Sequence, residues 1–529
     1  MPPRFILALG VMFFPLALCL PASNSACAQT GGSPAPQVRM KWQDFISGPN
    51  GEQRLASLEK AVAKMRSLDG SPSGSADFRR SWKYWANIHG YLGPNSPFKT
   101  VAFQKDRLNA AGLSQFLPFL EGTADKPGFQ DETPPDAIAS TVWATCQHTS
   151  RDGPQLNFFG WHRMYLYYFE RVLRWAASDP ALTLPYWDYT DPAQTALPDA
   201  FQDQSSPLFE WRRSEALNEG LATLNPQITN IDGPLTTDKT FLEYEGHIEK
   251  GVHGNVHCSV GQTCPVAVMG LVGVAANDPI FYEHHANIDR MWSCWQRAHA
   301  EEPPGDWQNQ EFSLVDENGA LVKRAVKEFL DTKALGYVYD HETNCTRTAA
   351  PVSLAEHAPP EQPASAGAAP MTTSSQPLRL NPTSTSVDIN IQEPRQRASA
   401  ARVPGQTTLV LRDVSSQSDP GALLNVFVAR KDAPNTREHV GTINWFGVFD
   451  PMEGMQHEGR VSQTFTFDIS KQMQTLGVRD PNDLRVTFDA TSGLVASAKS
   501  PRANTQLANR PAAAFQEKAG LTIGAIEFQ

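Results

Sequence analysis

Apolar residues recur at helical spacing over residues 54–67, where Leu55, Leu58, Val62 and Met65 share one face, so an amphipathic helix is predicted there. Residues 81–88 and 163–177 carry the same period, and Ser178-Asp179-Pro180 supplies a stop for the second. A further helix is predicted over 287–300, bearing Ile288, Met291, Trp292 and Trp295, and 184–188 reads as a short extended piece. Beyond about residue 407 the period changes to two. Alternating segments at 408–411, 424–428, 463–467, 484–488 and 521–524 are spaced by turn residues, the pattern of a small all-β sandwich or barrel. Between the two regimes, residues 349–406 are dominated by Pro, Ala, Ser, Thr and Gln. They hold too few apolar positions for a core and read as a linker, with one short extended segment at 387–391 as a candidate to pair elsewhere. The expected architecture is a mainly α domain over 29–348, a linker over 349–406 and a β-rich domain over 407–529. No internal repeat is seen.

A chain of 529 residues exceeds one ordinary domain. The net charge of −11 is mild for this size and no basic block occurs, which argues against a nucleic-acid partner. Arg4, an apolar run over 5–20 and Ala26-Cys27-Ala28 read as a secretory signal peptide over 1–28, with a lipoprotein anchor on Cys19 or Cys27 as the alternative. No later stretch is long and apolar enough to span a bilayer. The expected location is therefore secreted or periplasmic. Export also changes the cysteine arithmetic. Of seven cysteines, Cys146, Cys258, Cys264, Cys294 and Cys345 follow the signal, and an oxidising compartment favours disulfides. Cys258–Cys264 is expected as a short-loop bridge and Cys294–Cys345 as a second, which leaves Cys146 with another task.

Thirteen histidines are few for this length. His253 and His257 stand four apart, so both imidazoles share one helical face. His284-His285 follow downstream, and His89, His148 and His162 lie upstream. Neutral imidazole suits copper or zinc better than magnesium or calcium, and two triads suggest two metals side by side. Set against this, an isolated histidine pair is more often a core or surface feature than a ligand pair.

The order of these segments resembles the type-3 copper proteins: tyrosinases, catechol oxidases (polyphenol oxidases) and hemocyanins. Trp161-His162-Arg163 with Phe169-Glu170-Arg171 is similar to the first copper motif of that family. His253-x-x-x-His257 with Asp278-Pro279-x-Phe281 and His284-His285-x-Asn287-x-Asp289-Arg290 is similar to the second. Residues 334–340 resemble the Tyr-x-Tyr segment that closes the catalytic domain. The resemblance spans about residues 81–340, and the C-terminal strands resemble the β-domain of plant polyphenol oxidases.

That resemblance implies a helical bundle around a dicopper site. His89, His148 and His162 would hold one copper, and His253, His257 and His285 the other, with His284 as a neighbour behind the ligands. It implies that Asn287 and Asp289 help to orient the imidazoles, although helix packing and capping would equally explain them. Cys146-Gln147-His148 resembles the Cys-x-His of fungal members, in which the sulfur is joined to the imidazole by a thioether; a free buried thiol is the alternative. Two departures stand out. The loop between His148 and His162 is longer than in most relatives, and Gly254 stands where many monophenol-hydroxylating members have Asn beside the first ligand of the second copper. Glu249 lies at the position of the family's water-orienting glutamate, yet reads equally as a solvated helix carboxylate. Asn255 is a candidate substitute for the missing amide. Val272 matches the family's gate residue, or is a plain core valine. The implied activity is oxidation of o-diphenols by O2, with monophenol hydroxylation open to the same site. An o-aminophenol oxidase and a hemocyanin-like dioxygen carrier are the alternatives. Small phenols and O2 are the expected partners, and a copper chaperone is a further candidate. Residues 444–452 are a candidate plug of the site, or part of the β-domain's own core.

Overall fold

Six helices carry the core of the N-terminal half: α1 (Gly51–Ser67), α2 (Trp82–His89), α3 (Phe158–Ala177), α4 (Phe241–Ile248), α5 (Gly254–Val260) and α6 (Ile280–Ala298). The chain is described by a computed structural model over residues 35–148, 157–264, 266, 268–341, 371–372, 377–381, 384–391, 407–449, 461–498 and 516–529. The expected signal peptide, the loop 149–156, Cys345 with its pairing to Cys294, most of the linker, and residues 450–452 of the candidate plug lie outside the described residues. Among the described residues no helix is long and apolar enough to cross a membrane.

Local chemistry explains where the helices begin. Ser81 caps α2 by accepting from the Tyr84 N–H, and Thr240 with Glu243 forms a capping box on α4. α6 starts seven residues before the predicted helix at 287. Pro279 sits just ahead of its first turn and Asp278 Oδ1 accepts from the Ile280 N–H at 3.1 Å, so Asp-Pro is a start signal rather than part of a loop. α3 likewise begins at Phe158 instead of 163, because the aromatic run 158–161 is buried and continues the helix. Between α4 and α5 the chain takes a wide π turn over Glu249–His253, with non-helical backbone at Gly251.

α6 is buried from Ile280 to Trp295 and packs on α3. One carboxylate ties these central helices to both ends of the domain. Asp289 accepts from Arg163 of α3 at 2.5 Å and from Arg39 at 3.3 Å. It also accepts from the hydroxyls of Tyr337 at 2.7 Å and Tyr339 at 2.6 Å. Arg39 and the two tyrosines lie on the paired strands Gln37–Arg39 and Tyr337–Tyr339, which run parallel. The Tyr-x-Tyr segment is thus the hydrogen-bonding counterpart of Asp289.

The C-terminal half is β-rich. The strands used below are β1 (Ala222–Leu224), which belongs to the helical half, β2 (Ser384–Asp388), β3 (Thr408–Ser416), β4 (Leu423–Arg430), β5 (Ala433–Ile443), β6 (Val461–Asp468), β7 (Leu484–Thr491), β8 (Leu494–Ala496) and β9 (Ala525–Phe528). One antiparallel sheet has the order β5-β4-β7-β2. The other is centred on β3, flanked by β6 and β9. Leu409, Leu411, Val426, Val428, Phe488 and Phe528 from both sheets share one apolar core, so the domain is a sandwich. Strand β2 and the short strands Met371–Thr372 and Leu378–Arg379, all within the span read as linker, belong to these sheets.

The described residues from Pro36 onward pack as one unit. β4 is buried on both faces, and Leu423 packs against Cys258 and Cys264 of the helical half. Those two cysteines form the expected bridge. β8 pairs antiparallel with β1, Leu494 opposite Leu224 and Ala496 opposite Ala222, so a strand outside the two sandwich sheets joins the C-terminal half to the helical half.

Burial alone would raise the pKa of Asp289, but Arg163 and Arg39 overcome this and hold it below the usual aspartate value. Its contribution to stability is therefore present above the pKa of the unfolded carboxylate, about 3.9, and is lost as pH falls through the lower folded value. Removing the carboxylate leaves the buried Arg163 guanidinium without its carboxylate partner and takes one of two from Arg39, which keeps Glu170 at 2.8 Å. Asp289→Ala should cost about 3–5 kcal/mol, measured as a lowered urea midpoint with an unchanged slope.

Candidate metal centre

Four helices bring the histidines together. His89 is the last residue of α2, His162 lies in the second turn of α3, His253 closes the π turn before α5, His257 sits on α5, and His284 and His285 on α6. All six are buried, none more than 2 % exposed. Their ligand atoms fall into two groups: His253, His257, His284 and His285 in one, and His89, Cys146 and His162 in the other, with the atoms of each group within 4.8 Å of one another. The groups adjoin. The rings of His162 and His285 stack at 4.3 Å, and His257 Nε2 lies 3.4 Å from His285 Nε2.

Backbone carbonyls set how three of these rings face. His162 Nδ1 donates to the Phe158 carbonyl at 2.8 Å, His253 Nδ1 to that of Glu249 at 3.1 Å, and His257 Nδ1 to that of Met269 at 2.7 Å. An Nδ1–H so engaged leaves Nε2 as a bare lone pair, the form a metal takes. Burial, reinforced by neighbouring imidazoles, pushes His89, His253, His257, His284 and His285 well below the usual histidine range. Burial takes His162 down to about 3. Among the described residues His285 Nδ1 and His284 Nε2 find no hydrogen-bond partner, and buried imidazole nitrogens left so cost stability unless something satisfies them. The donor set fits a copper or zinc ion.

His148 is placed differently. It sits on the segment before the undescribed loop, outside the tight group, and Cys146 stands in its place. Cys146 Sγ lies 3.5 Å from His148 Nε2 and equally 3.5 Å from His162 Nε2. His148 Nδ1 is held by Glu249 Oε1 at 2.9 Å. Burial works against protonating His148, and Cys146 with the Glu249 carboxylate more than offsets it, so its pKa is pulled up. Glu249 is therefore a buried partner of an imidazole rather than a solvated helix carboxylate.

The remaining expected residues divide by contact. His284 Nδ1 pairs with the Tyr189 hydroxyl at 2.7 Å, and its ring stacks on His253 at 5.4 Å, so it lies among the imidazoles rather than only behind them. Asp289 and Asn287 do not make the contact expected of them. Asp289 is consumed by Arg163, Arg39 and the tyrosines, Asn287 Oδ1 accepts from Arg290 at 2.9 Å, and among the described residues neither hydrogen-bonds an imidazole. Asn255 turns away too: its Nδ2 donates to the Ile228 carbonyl at 3.0 Å and its Oδ1 accepts from Asn444 at 2.9 Å. Val272 is buried, and a Cβ on Gly447 would lie 3.6 Å from it.

Aromatic rings frame the centre. Phe281 lies 4.7 Å from His89 and 4.2 Å from His285, and Phe158 lies 4.7 Å from both His162 and His253. Phe281 is part of the Asp-Pro-x-Phe motif; Tyr189 carries no local sequence signal. Phe446, from the β-domain, stacks on His257 at 4.0 Å with a 14° tilt and meets His253 edge-on at 5.4 Å.

Comparison with known proteins agrees with this geometry. Residues 79–243 and 202–298 match the common central domain of tyrosinase, and residues 304–351 match the polyphenol oxidase middle domain. The chain is 28 % identical over 378 residues to the latent form of a chloroplastic polyphenol oxidase of Prunus armeniaca, covering 63 % of this chain and 61 % of that protein. The match thus spans less than two thirds of that relative. Similarity to the tyrosinase HcTyr1 of a Hahella species is 27 % identity over 479 residues, 82 % of this chain and 91 % of that one. A solved latent aurone synthase, a polyphenol oxidase, shares the fold with a TM-score of 0.54 at 19 % identity, over 94 % of this chain and 89 % of that one. The two motif matches and the convergent imidazoles together identify the chain as a member of the tyrosinase and polyphenol oxidase family of copper proteins.

Proposed function

We propose that the protein is an exported dicopper oxidase that uses O2 to convert o-diphenols to o-quinones. One observation carries the reading: buried neutral imidazoles converge in two adjoining groups, three of them with Nδ1 anchored on a carbonyl so that Nε2 faces inward. In this proposal His89, His148 and His162 hold one copper, and His253, His257 and His285 the other. When bound, the copper pair supplies a two-electron couple for O2 and the diphenol. The chain's own residues then bind, orient and shield. The ring of His257 offers a flat face on which an aromatic substrate stacks, as Phe446 stacks now. Phe158 and Phe281 exclude water, and Glu249 holds the His148 ring through Nδ1. Cys146, so close to His148, is the proposed thioether partner. The signal-like segment over 1–28 motivates the export part of the proposal.

Diphenols are favoured over monophenols in this reading. Gly254 offers no amide beside His253, and the Asn255 amide is spent on Ile228 and Asn444. The β-domain would keep the site latent, because Phe446 occupies the stacking position of a phenol.

Oxygen uptake by the copper-loaded chain, intact and after mild detergent or linker proteolysis, tests the activity with catechol, L-DOPA, tyrosine and 2-aminophenol. Catechol and L-DOPA should be consumed, tyrosine far more slowly, and the treated enzyme should outpace the intact one. Uptake with 2-aminophenol alone would mark an aminophenol oxidase, and reversible O2 binding without turnover of any substrate would mark a carrier. An aromatic stack contributes about 1 kcal/mol beyond its area burial, so Phe446→Ala should raise diphenol turnover of the uncut chain by roughly tenfold once lost burial is added. Intact-mass measurement checks the thioether. Weighed denatured and copper-free, protein that has once been loaded with copper should be lighter by two hydrogens than protein never exposed to copper, and Cys146→Ser should remove that difference.

A further inference from the structure

Gly254 has ordinary helical dihedrals, φ −64° and ψ −35°, so its backbone places no demand for glycine. Alanine would favour the helix that starts there. The reason for the missing side chain lies across the contact with the β-domain. A Cβ on Gly254 would stand 2.3 Å from Asn444 Oδ1 and 2.8 Å from its Cγ.

Asn444 is not free to swing aside. Its Nδ2 donates to the Lys250 carbonyl at 2.6 Å, to that of Gly251 at 3.3 Å and to Asn255 Oδ1 at 2.9 Å. Its Oδ1 accepts from the Phe446 N–H at 3.2 Å. One buried carboxamide therefore satisfies carbonyls of the π turn that delivers His253 and also fixes the backbone of Phe446. Turning it to admit a side chain at 254 would strand buried polar groups on both sides of the contact.

We infer that the open side of Gly254 is a receptor for Asn444, and that this pairing is the latch that holds Phe446 over His257. The inference rests on the covering role proposed above for the β-domain. Its consequence is a coupling: a side chain introduced beside His253, whatever its effect on substrate, also opens the cover. The opening is local. The β8–β1 pairing and the seat of Gly493 on Ser259, where a Cβ would lie 2.0 Å from Oγ, anchor the domain elsewhere and do not depend on Asn444.

Hydrogen–deuterium exchange on the metal-free full chain tests the latch without copper or substrate, so its outcome is independent of the oxidase reading. The amides of Phe446 and Val448, bonded to Asn444 Oδ1 and the Trp445 carbonyl, are the reporters. Gly254→Ala and Asn444→Ala should each speed their exchange by about tenfold or more, with β8 and α6 unchanged. Gly246→Ala, where a Cβ meets nothing within 4 Å, should have no effect. Adding Gly254→Ala to Asn444→Ala should change exchange by less than about twofold, since the two act through one contact. Unaltered exchange in either single variant overturns the latch, as does an equal effect of Gly254→Ala with and without Asn444.

Discussion

Everything in this protein is arranged around the cost of burying imidazoles side by side. A neutral ring out of water has two nitrogens to satisfy, and leaving either bare costs free energy. His162 and His253 solve half the problem within their own turns, each donating Nδ1–H to the carbonyl four residues earlier. His257 finds the Met269 carbonyl instead. The other half stays open. His257 Nε2 and His285 Nε2 face each other at 3.4 Å with burial depressing both pKa values, so neither ring readily escapes by taking a proton. A metal ion would complete what the backbone begins, and folding and metal binding would then share free energy.

Such a centre needs its helices held at fixed separation, and the Asp289 node does this. Arg163 follows His162 directly in sequence, and Asp289 lies one turn beyond His285. The buried ion pair between them at 2.5 Å therefore sets the spacing of α3 and α6 at the level where His162 and His285 stack. Arg39, Tyr337 and Tyr339 brace the same carboxylate from the edge strands. The Trp-His-Arg and His-His-x-Asn-x-Asp-Arg motifs thus join ligand candidates to the ion pair that positions them, which is why the motifs are longer than the ligands alone require.

Much of this is legible in the chain, and the misses have physical causes. Helical period over 54–67 and alternation beyond 407 locate the two domains, because each element there buries one face against its own core. The starts of α3 and α6 are read late, since buried aromatics and an Asp-Pro cap carry no amphipathic signal. β4 is buried on both faces because the helical half covers its outer side, a fact invisible to any local pattern. The histidines are found by type and spacing, but the role of Asp289 stays open between orienting an imidazole and packing: a carboxylate near imidazoles and one near buried arginines look alike in sequence. Tyr189 and Asn444 reach their partners across roughly a hundred or two hundred residues, and only folding creates those contacts.

The proposed cover would resolve a conflict built into such a site. A pocket that admits a phenol must be apolar and open, whereas buried imidazoles depend on water being excluded to keep their pKa values low. Val272 and the ring face of His257, which Phe446 packs against, would present apolar surface at an uncovered mouth. In the proposed latent form Phe446 would satisfy both demands at once: its ring has the shape of an aromatic guest, and its backbone N–H is held by Asn444. Because the β8–β1 ladder lies elsewhere on the interface, the proposed plug loop would yield while the C-terminal half stays attached. Opening would then cost the stacking, apolar packing and hydrogen bonds of one short segment, not the whole domain contact. A molecule that competes for the His257 face alone would then work against only that smaller barrier.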